Sequence, residues 1–464
     1  MRMRLTKLAS LHRLGPDKSL LLNALSGAVD VVDDALRAKI VALSVGLTPE
    51  LEDQELCALR DRGYLFASES EERSALNAVH ESAQQLCAMR PLQFVFCPTY
   101  ACNLACSYCF ESAQLRSRAQ VMSVQQVADA FAATEIIAPE RSTRERQIVL
   151  FGGEPLLPTT KEVVGAILDR AESGGFSVQI VTNGTCLDQF APLFSEHKAL
   201  AMGAQITLDG PQSVHDARRA HQGGAGSFAQ VVRGIETCLE LGIKVNARMN
   251  VDAQNLDSLE EFADLLEARG WMAHPSFKCQ LAPVTDHVGE NPPPSMLRED
   301  QLVQPVLGLW RSRPELRQKL DFQLFRVLHH LISVIEGDGD SAMVPRFHYC
   351  EADRQDVHVF GPDGLVYICP ESIGDRRCAV GTYSPVYRPW PRRLRGWRDR
   401  SVLTLPECQD CSIATFCGGG CGYAALRHHG SPAHGICAGA PEIVKAYIQE
   451  LQQRASQEQL PLAT

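Results

Sequence analysis

The sequence predicts an α/β fold in which βα units build a parallel sheet, with an α+β module before it and a cysteine-rich region after it. Three observations carry this reading. After Pro91, six apolar strand-like runs alternate with longer helical segments, the pattern of βα units. Before that point, short apolar groups are separated by charge, with no glycine-rich strand ends. Finally, ten of the 17 cysteines fall into two clusters, one after the first strand-like run and one near the C-terminal end.

Composition bounds the rest. The 464 residues, 45% hydrophobic and 22% charged, describe a globular chain with room for two to four domains. A net charge of −10 argues against a surface that holds a polyanion, so nucleic acid is not an expected partner. No uninterrupted apolar run approaches the length that spans a bilayer, and a membrane is not expected either. The basic N-terminus meets His12, Arg13 and Asp17 before any apolar signal core can form, which points to the cytoplasm. In that reducing compartment clustered thiols are better read as metal ligands than as disulfides.

Residues 1–88 read as the α+β module, with apolar groups at 20–25, 29–32 and 40–43. Its tail, residues 68–88, reads as a linking helix with Leu76, Val79 and Ala83 on one face. Residues 89–285 hold the strand-like runs at 92–96, 147–151, 177–181, 204–208, 244–251 and 276–281. Ser123 with Gln126 makes a capping box, after which Val124, Val127 and Phe131 mark a helix face. Most of these runs end in polar or glycine-bearing loops, where βα folds carry their active sites. Residues 286–343 read as a helical linker that begins in the proline-rich stretch 282–296. Its helix spans 316–335, with Leu320, Leu324, Val327, Leu328 and Leu331 in helical register, and stops at Gly337. Residues 344–464 form the cysteine-rich region.

Cys102, Cys106 and Cys109 crowd one loop after the first strand. Three thiolates plus a fourth ligand suit tetrahedral zinc; the alternative is an iron–sulfur cube with one iron left open. The order and spacing of further residues bear on that choice. The CxxxCxxC loop with Tyr108, Gly152-Gly153-Glu154-Pro155 after the second run, Thr182-Asn183-Gly184 after the third and Thr207-Leu208-Asp209-Gly210 at the fourth resemble the radical SAM superfamily over about residues 91–285.

That resemblance implies a partial (β/α)6 barrel in which Cys102, Cys106 and Cys109 hold the catalytic [4Fe–4S] cluster. It implies reductive cleavage of S-adenosylmethionine and hydrogen abstraction by a 5′-deoxyadenosyl radical, with a one-electron donor such as flavodoxin or ferredoxin. Glu154, with the backbone at Gly152 and Gly153, would receive the methionyl ammonium, and Tyr108 would lie near the adenine. Thr207 and Asp209 would contact ribose or carboxylate, with Arg248 a further carboxylate partner. A carboxylate suits an ammonium, and Gly-Gly lets backbone approach closely.

The second cluster comprises Cys350, Cys369 and then Cys408-x2-Cys411-x5-Cys417-x3-Cys421 and Cys437. Seven thiols exceed one zinc, and a two-zinc site is the plain alternative. The spacing resembles the SPASM extension of radical SAM enzymes, which implies two auxiliary [4Fe–4S] clusters, three clusters in all. By that likeness Cys408, Cys411, Cys417 and Cys437 hold the outer one, and Cys350, Cys369 and Cys421 the inner one. The stretch before Cys350 lacks the extra cysteine of fully ligated inner clusters, so Cys279, Cys378, His348 or a substrate group would fill the remaining position. Sulfatase-maturing relatives carry aspartate just after the cysteine matching Cys369. Pro370 stands here, with Glu371 nearby as a possible base. Cys57, Cys87, Cys97, Cys186 and Cys238 read as buried core thiols.

Auxiliary clusters of this type go with peptide and protein modification. The expected function is therefore hydrogen abstraction from a ribosomally made precursor peptide, leading to cross-link, oxidation or epimerisation. The N-terminal module is then either a winged-helix element that grips the peptide or a plain packing extension. Formylglycine formation on a sulfatase, small-molecule dehydrogenation and a metal-binding redox scaffold are the competing readings.

Overall fold

The computed structural model describes residues 3–139, 144–284, 295–337, 345–437 and 439–456. Six parallel strands, Leu92–Phe96, Arg146–Leu150, Ser177–Thr182, Met202–Thr207, Lys244–Val251 and Phe277–Pro283, lie in chain order within one sheet. Each matches an expected run with ends shifted by no more than two residues. Helices such as Val124–Ile137, Lys161–Ser173, Phe228–Glu240 and Leu259–Ala268 connect them. Phe94, Ile148, Ile180, Ile206, Ala247 and Leu281 are wholly buried within this sheet. The register places these residues on one face, and along Ser177–Thr182 and Lys244–Val251 they alternate with half-exposed ones. The Ser123 capping box forms as expected, with the Gln126 N–H donating to Ser123 Oγ at 3.1 Å and the Ser123 N–H to Gln126 Oε1 at 2.9 Å.

The barrel stays open because both edge strands take other neighbours. Beyond the sixth strand, Leu320–Asp321 adds a short parallel strand, Leu320 facing Cys279. The helix expected over 316–335 is therefore broken into Leu316–Lys319 and Arg326–Ile332, the latter continued by a wider turn at Ser333–Gly337. The break has a local cause: the Asp321 carboxylate accepts the Gln323 N–H at 2.8 Å, and the Phe325 N–H turns back to the Phe322 carbonyl. Leu320, Phe322 and Phe325 are buried by it. Helical periodicity yields here to burial against the sheet edge. The proline-rich stretch at 285–294 and the helix stop at 338–340 lie outside the described residues, as do both ends of the 286–343 linker. Between them, helix Glu299–Ser312 packs on the C-terminal helix Ala440–Ser456.

On the other edge, Val357–Phe360 pairs in parallel with the first strand, and Leu365–Tyr367, Ala379–Thr382 and Arg388–Pro389 follow antiparallel. The cysteine-rich region is thus joined to the barrel through the same sheet. Cys369 follows its strand Leu365–Tyr367, and the thiols from Cys408 onward lie beyond the last strand.

The N-terminal module is a three-stranded antiparallel sheet, Ala9–Arg13, Lys18–Asn23 and Val29–Asp33, with helices Asp34–Ser44 and Asp53–Asp61. Leu21, Val32, Ile40, Leu59 and Tyr64 give it a small core of its own. The linking helix runs Glu69–Ala88, capped by Ser68. Its Leu76, Val79 and Ala83 pack with Phe347, Val402 and Ala414 of the cysteine-rich region, so its apolar stripe ties the two ends of the chain together.

Candidate cluster and cofactor site

The loop after the first strand is fixed before any metal is considered. Leu104 bridges His221, the Ala105 N–H donates to the Ala220 carbonyl at 2.8 Å, and the Ser107 N–H to the Arg218 carbonyl at 3.2 Å. The Gln222 amide donates to the Cys102 carbonyl at 2.7 Å. These contacts hold Cys102, Cys106 and Cys109 partly buried on one side of the sheet's C-terminal end. Cys102 Sγ accepts the Leu104 N–H at 3.5 Å and lies 3.9 Å from Asn183 Nδ2, the donors that a cluster thiolate favours. Burial, reinforced by the nearby Glu154 carboxylate, pushes the Cys102 thiol up to about 12. Burial followed by Glu111 raises Cys109 as well. As free thiols these groups are protonated at neutral pH, and loading with iron must displace their protons.

Gly152 and Gly153 are required by close approach. A Cβ on Gly152, whose φ is +131°, would stand 2.4 Å from Cys97 Sγ, and one on Gly153 would stand 2.3 Å from the Tyr100 and Ala101 carbonyls. This wedge directs Glu154 into the barrel. Its carboxylate, 1% exposed, accepts from Thr182 Oγ1 at 2.6 Å, the Asn183 N–H at 2.7 Å and the Leu156 N–H at 2.9 Å. Burial raises its pKa while these bonds pull the other way. Three of about four lone-pair directions are used, so one remains for a further donor.

Tyr108 crosses the barrel mouth. Its hydroxyl donates to Asp209 Oδ2 and accepts from Arg219 at 2.6 Å and Asn250 at 3.2 Å, while the Arg218 guanidinium lies 4.7 Å from its ring centre. Asp209, wholly buried, also accepts the Asn250 N–H at 2.9 Å through Oδ1, so both its oxygens are engaged within the protein. Thr207 closes the fourth strand directly opposite Arg248. Arg248 donates to Asn250 at 2.9 Å, and burial lowers its pKa against the opposing pull of Glu371. Glu371, on the turn after Cys369, is thus near enough to Arg248 for its charge to be felt there.

The seven C-terminal thiols fall into two groups. Cys369 is raised by burial and then by Glu371, Cys421 and Cys350. Burial takes Cys417 up to about 12, with Cys437 and Cys408 adding to it, and Cys408 up to about 11, with Cys411 adding to it. Cys350, Cys369 and Cys421 thus share one environment, and Cys408, Cys411, Cys417 and Cys437 another. Among the described residues, no three His, Cys, Asp or Glu side chains converge as closely as a single ion with thiolates at about 2.3 Å demands. A cube takes one thiolate at each iron corner and needs no other ligand type. The donor set, all thiols with backbone N–H groups nearby, suits the same group.

Of the groups proposed to complete the inner set, Cys279 sits on the sixth strand beside Asp321, and Cys378 beside Asp375 and Arg377. His348 turns Nδ1 to the Arg400 carbonyl at 2.8 Å. Cys97, Cys186 and Cys238 are buried as expected, but Cys57 is exposed and Cys87 only partly covered. Cys57 lies off the apolar face of its helix, whereas Cys87 continues the Leu76–Val79–Ala83 face at the last turn of the linking helix, where cover is only partial.

Arg400 is the functional residue that sequence reasoning misses. Wholly buried, it donates to the Pro432, His434, Gly419 and Gly420 carbonyls at 2.5–2.8 Å and pairs with buried Asp353 at 3.4 Å. It thereby fastens the Gly418-Gly419-Gly420 turn, all three at positive φ, between Cys417 and Cys421. Its only sequence signal is its place at the end of an arginine-rich run.

A three-cysteine loop at the C-terminal mouth of an open parallel barrel, beside a buried carboxylate and followed by a cysteine-rich region that extends the same sheet, is the arrangement that the radical SAM resemblance implies. Residues 96–266 match the model of the Radical SAM superfamily. Among curated relatives, the mycofactocin maturase MftC of Mycobacterium ulcerans is 28% identical over 361 residues, covering 75% of this chain and 86% of that protein. The serine-type anaerobic sulfatase-maturating enzyme of Klebsiella aerogenes is 24% identical, covering 75% and 81%. The crystal structure of Streptococcus suis SuiB bound to precursor peptide SuiA superposes with a TM-score of 0.53 at 14% identity, over 93% of this chain and 98% of that one. No helix of the described residues is long and apolar enough to cross a membrane.

Proposed function

We propose that this enzyme cleaves S-adenosylmethionine reductively and modifies a ribosomally made precursor peptide. The observation that carries the reading is the shared frame: the Cys102 loop and Glu154 follow the first two strands of the same sheet that the cysteine-rich region extends, with Cys369 just after its strand Leu365–Tyr367. Maturases among the relatives and a peptide-bound structural neighbour support the substrate class. Cys102, Cys106 and Cys109 would hold a [4Fe–4S] cluster, and the groups Cys350/Cys369/Cys421 and Cys408/Cys411/Cys417/Cys437 would hold two more. When bound, the first cluster with S-adenosylmethionine supplies a carbon radical that removes a substrate hydrogen.

The chain's own residues then bind and orient. Glu154 offers its remaining lone pair to the methionyl ammonium, Tyr108 covers the adenine side, and Thr207 and Arg248 face ribose and carboxylate. Asp209, with both oxygens engaged, acts by holding Tyr108 and Asn250 in place. Residues 1–88 serve as the docking module, 89–285 as the core, 286–343 as the linker and 344–464 as the auxiliary-cluster region. Val29–Asp33 is an outer strand of the module's sheet, and an extended peptide can add to such an edge through backbone hydrogen bonds. The compartment is the cytoplasm, where reduced flavodoxin or ferredoxin supplies the electron.

Glu154→Gln places an amide where three donors converge, so one N–H or O–H must face another donor. The variant is expected to weaken S-adenosylmethionine binding tenfold or more, on the order of the 1.5–3 kcal/mol of a charged hydrogen bond, as read by equilibrium dialysis. Unchanged binding would remove Glu154 from the cofactor site.

The substrate class is tested by intact mass of short peptides encoded beside the gene, each co-expressed with the enzyme or with its Cys102→Ala/Cys106→Ala/Cys109→Ala variant. A mass or retention change that depends on the three thiols supports the proposal. If S-adenosylmethionine is cleaved yet no peptide changes, the peptide reading fails and a sulfatase or small molecule takes its place.

A further inference from the structure

The chain is acidic overall, yet between Arg376 and Arg398 it carries seven arginines and no aspartate or glutamate. The structure gathers this run on the hairpin strand Arg388–Pro389 and the helix Pro391–Arg398, where Arg388, Arg392, Arg395 and Arg398 are exposed. Arg393 is spent internally, donating to the Arg376 and Ala379 carbonyls at 3.1 and 2.9 Å and covering Trp390. Arg398 reaches Gln355 at 3.1 Å. Among the described residues Arg388, Arg392 and Arg395 form no ion pair, so their charge faces solvent.

The inner side of the same helix covers thiols. It packs on the short helix Glu351–Arg354 that begins at Cys350, and Gln355 Nε2 reaches the Leu394 carbonyl. Trp397 is buried against Gly422, where an added Cβ would stand 2.8 Å from the indole, and Gly422 directly follows Cys421. A cationic outer face thus lies one helix away from Cys350 and Cys421. The N-terminal module sits elsewhere, against the outer thiol group: Lys7 pairs with Asp410 at 2.6 Å, and Thr415 donates to the Ala24 carbonyl. Peptide docking on that module leaves the arginine face free.

We infer that the face made by Arg388, Arg392, Arg395 and Arg398 docks an acidic one-electron carrier protein, which delivers its electron at the inner thiol group. The inference rests on the reductive chemistry proposed above. The exchange is simple: the carrier loses one electron, the cluster held at Cys350, Cys369 and Cys421 gains it, and no bond forms or breaks. Like charges clustered on one surface steer an oppositely charged partner, and salt screens that attraction.

The test uses the iron-loaded enzyme and an acidic flavodoxin, comparing the parent with R388E/R392E/R395E and with the milder R388Q/R392Q/R395Q. Titration calorimetry with oxidised flavodoxin is expected to show salt-sensitive binding in the parent. The reversal variant should bind about tenfold or more weakly and lose that salt sensitivity, with the glutamine variant between. Stopped-flow oxidation of reduced flavodoxin should slow in the same order, while S-adenosylmethionine cleavage driven by dithionite stays unchanged. Unaltered flavodoxin binding in the reversal variant overturns the docking face, as does tighter binding of an oligonucleotide that the same substitutions abolish. If the parent fails to cleave S-adenosylmethionine even with dithionite, it is the proposed function that falls.

Discussion

Replacing Cys102, Cys106 and Cys109 together by alanine is expected to abolish 5′-deoxyadenosine formation while leaving roughly two thirds of the iron bound, if three cubes are present in the parent. The separation follows from the architecture. The Cys102 loop is pinned by Ala220, Arg218 and Gln222, none of which reaches the C-terminal thiols. The other seven thiols are fixed by the hairpin strands, the glycine turn and Arg400. Losing one loop's thiolates should leave the rest able to load. Because the three thiols are only partly buried and alanine is smaller, the fold should persist. Iron analysis and chromatography of the nucleoside check the two halves separately. Full loss of iron would mean that the sites assemble as one unit, and retained cleavage would place the radical chemistry elsewhere.

The sheet was legible because its strands are either mostly apolar, as at 92–96, or alternate with a period of two, as at 177–182 and 244–251. Neither pattern has the 3.6-residue period of a helix, and the loops between the strands carry the glycines and polar residues that chemistry requires. The thiol loop was legible for a different reason: ligand spacing is local, so CxxxCxxC survives without any knowledge of the fold. Gly152 and Gly153 carried a partial signal. A Gly-Gly pair announces close approach, but only the structure shows that Cys97, Tyr100 and Ala101 are what it approaches.

What stayed hidden depends on distant partners. Residues 316–335 have helical periodicity, yet Leu320 is needed on the sheet edge beside Cys279, and no local pattern records that demand. Tyr108 belongs to the thiol loop in sequence, but its hydroxyl is fixed by Asp209, Arg219 and Asn250 from three other segments. Asp209 spends its two oxygens on Tyr108 and the Asn250 N–H, contacts that its own segment does not announce. Arg400 lies two residues beyond Arg398 in a run that reads as one solvated face. Its burial comes from the carbonyls of residues 419–434, which its own neighbourhood does not announce.

Arg400→Leu is expected to be the most damaging single substitution outside the thiols. The guanidinium satisfies four carbonyls and pairs with Asp353, and both charged groups are wholly buried. Removing one partner of a buried pair costs about 3–5 kcal/mol, because the other charge stays without compensation. Asp353 already sits at about 6, raised by burial and held down by Arg400. Without the arginine its carboxyl rises further. A carboxyl raised in the folded state binds more protons there than when unfolded, so stability falls as pH climbs through its folded pKa. The variant's deficit should therefore grow from about pH 5 toward pH 8, as read by denaturant unfolding of variant and parent side by side. Arg400→Lys keeps the charge but not the planar fork that serves four carbonyls, and should recover only part of the loss. Auxiliary iron should fall in the same order, because the Gly418–Gly420 turn separates Cys417 from Cys421 and loses its clamp. A leucine variant that unfolds like the parent at every pH, with full iron, would show that the glycine turn holds itself.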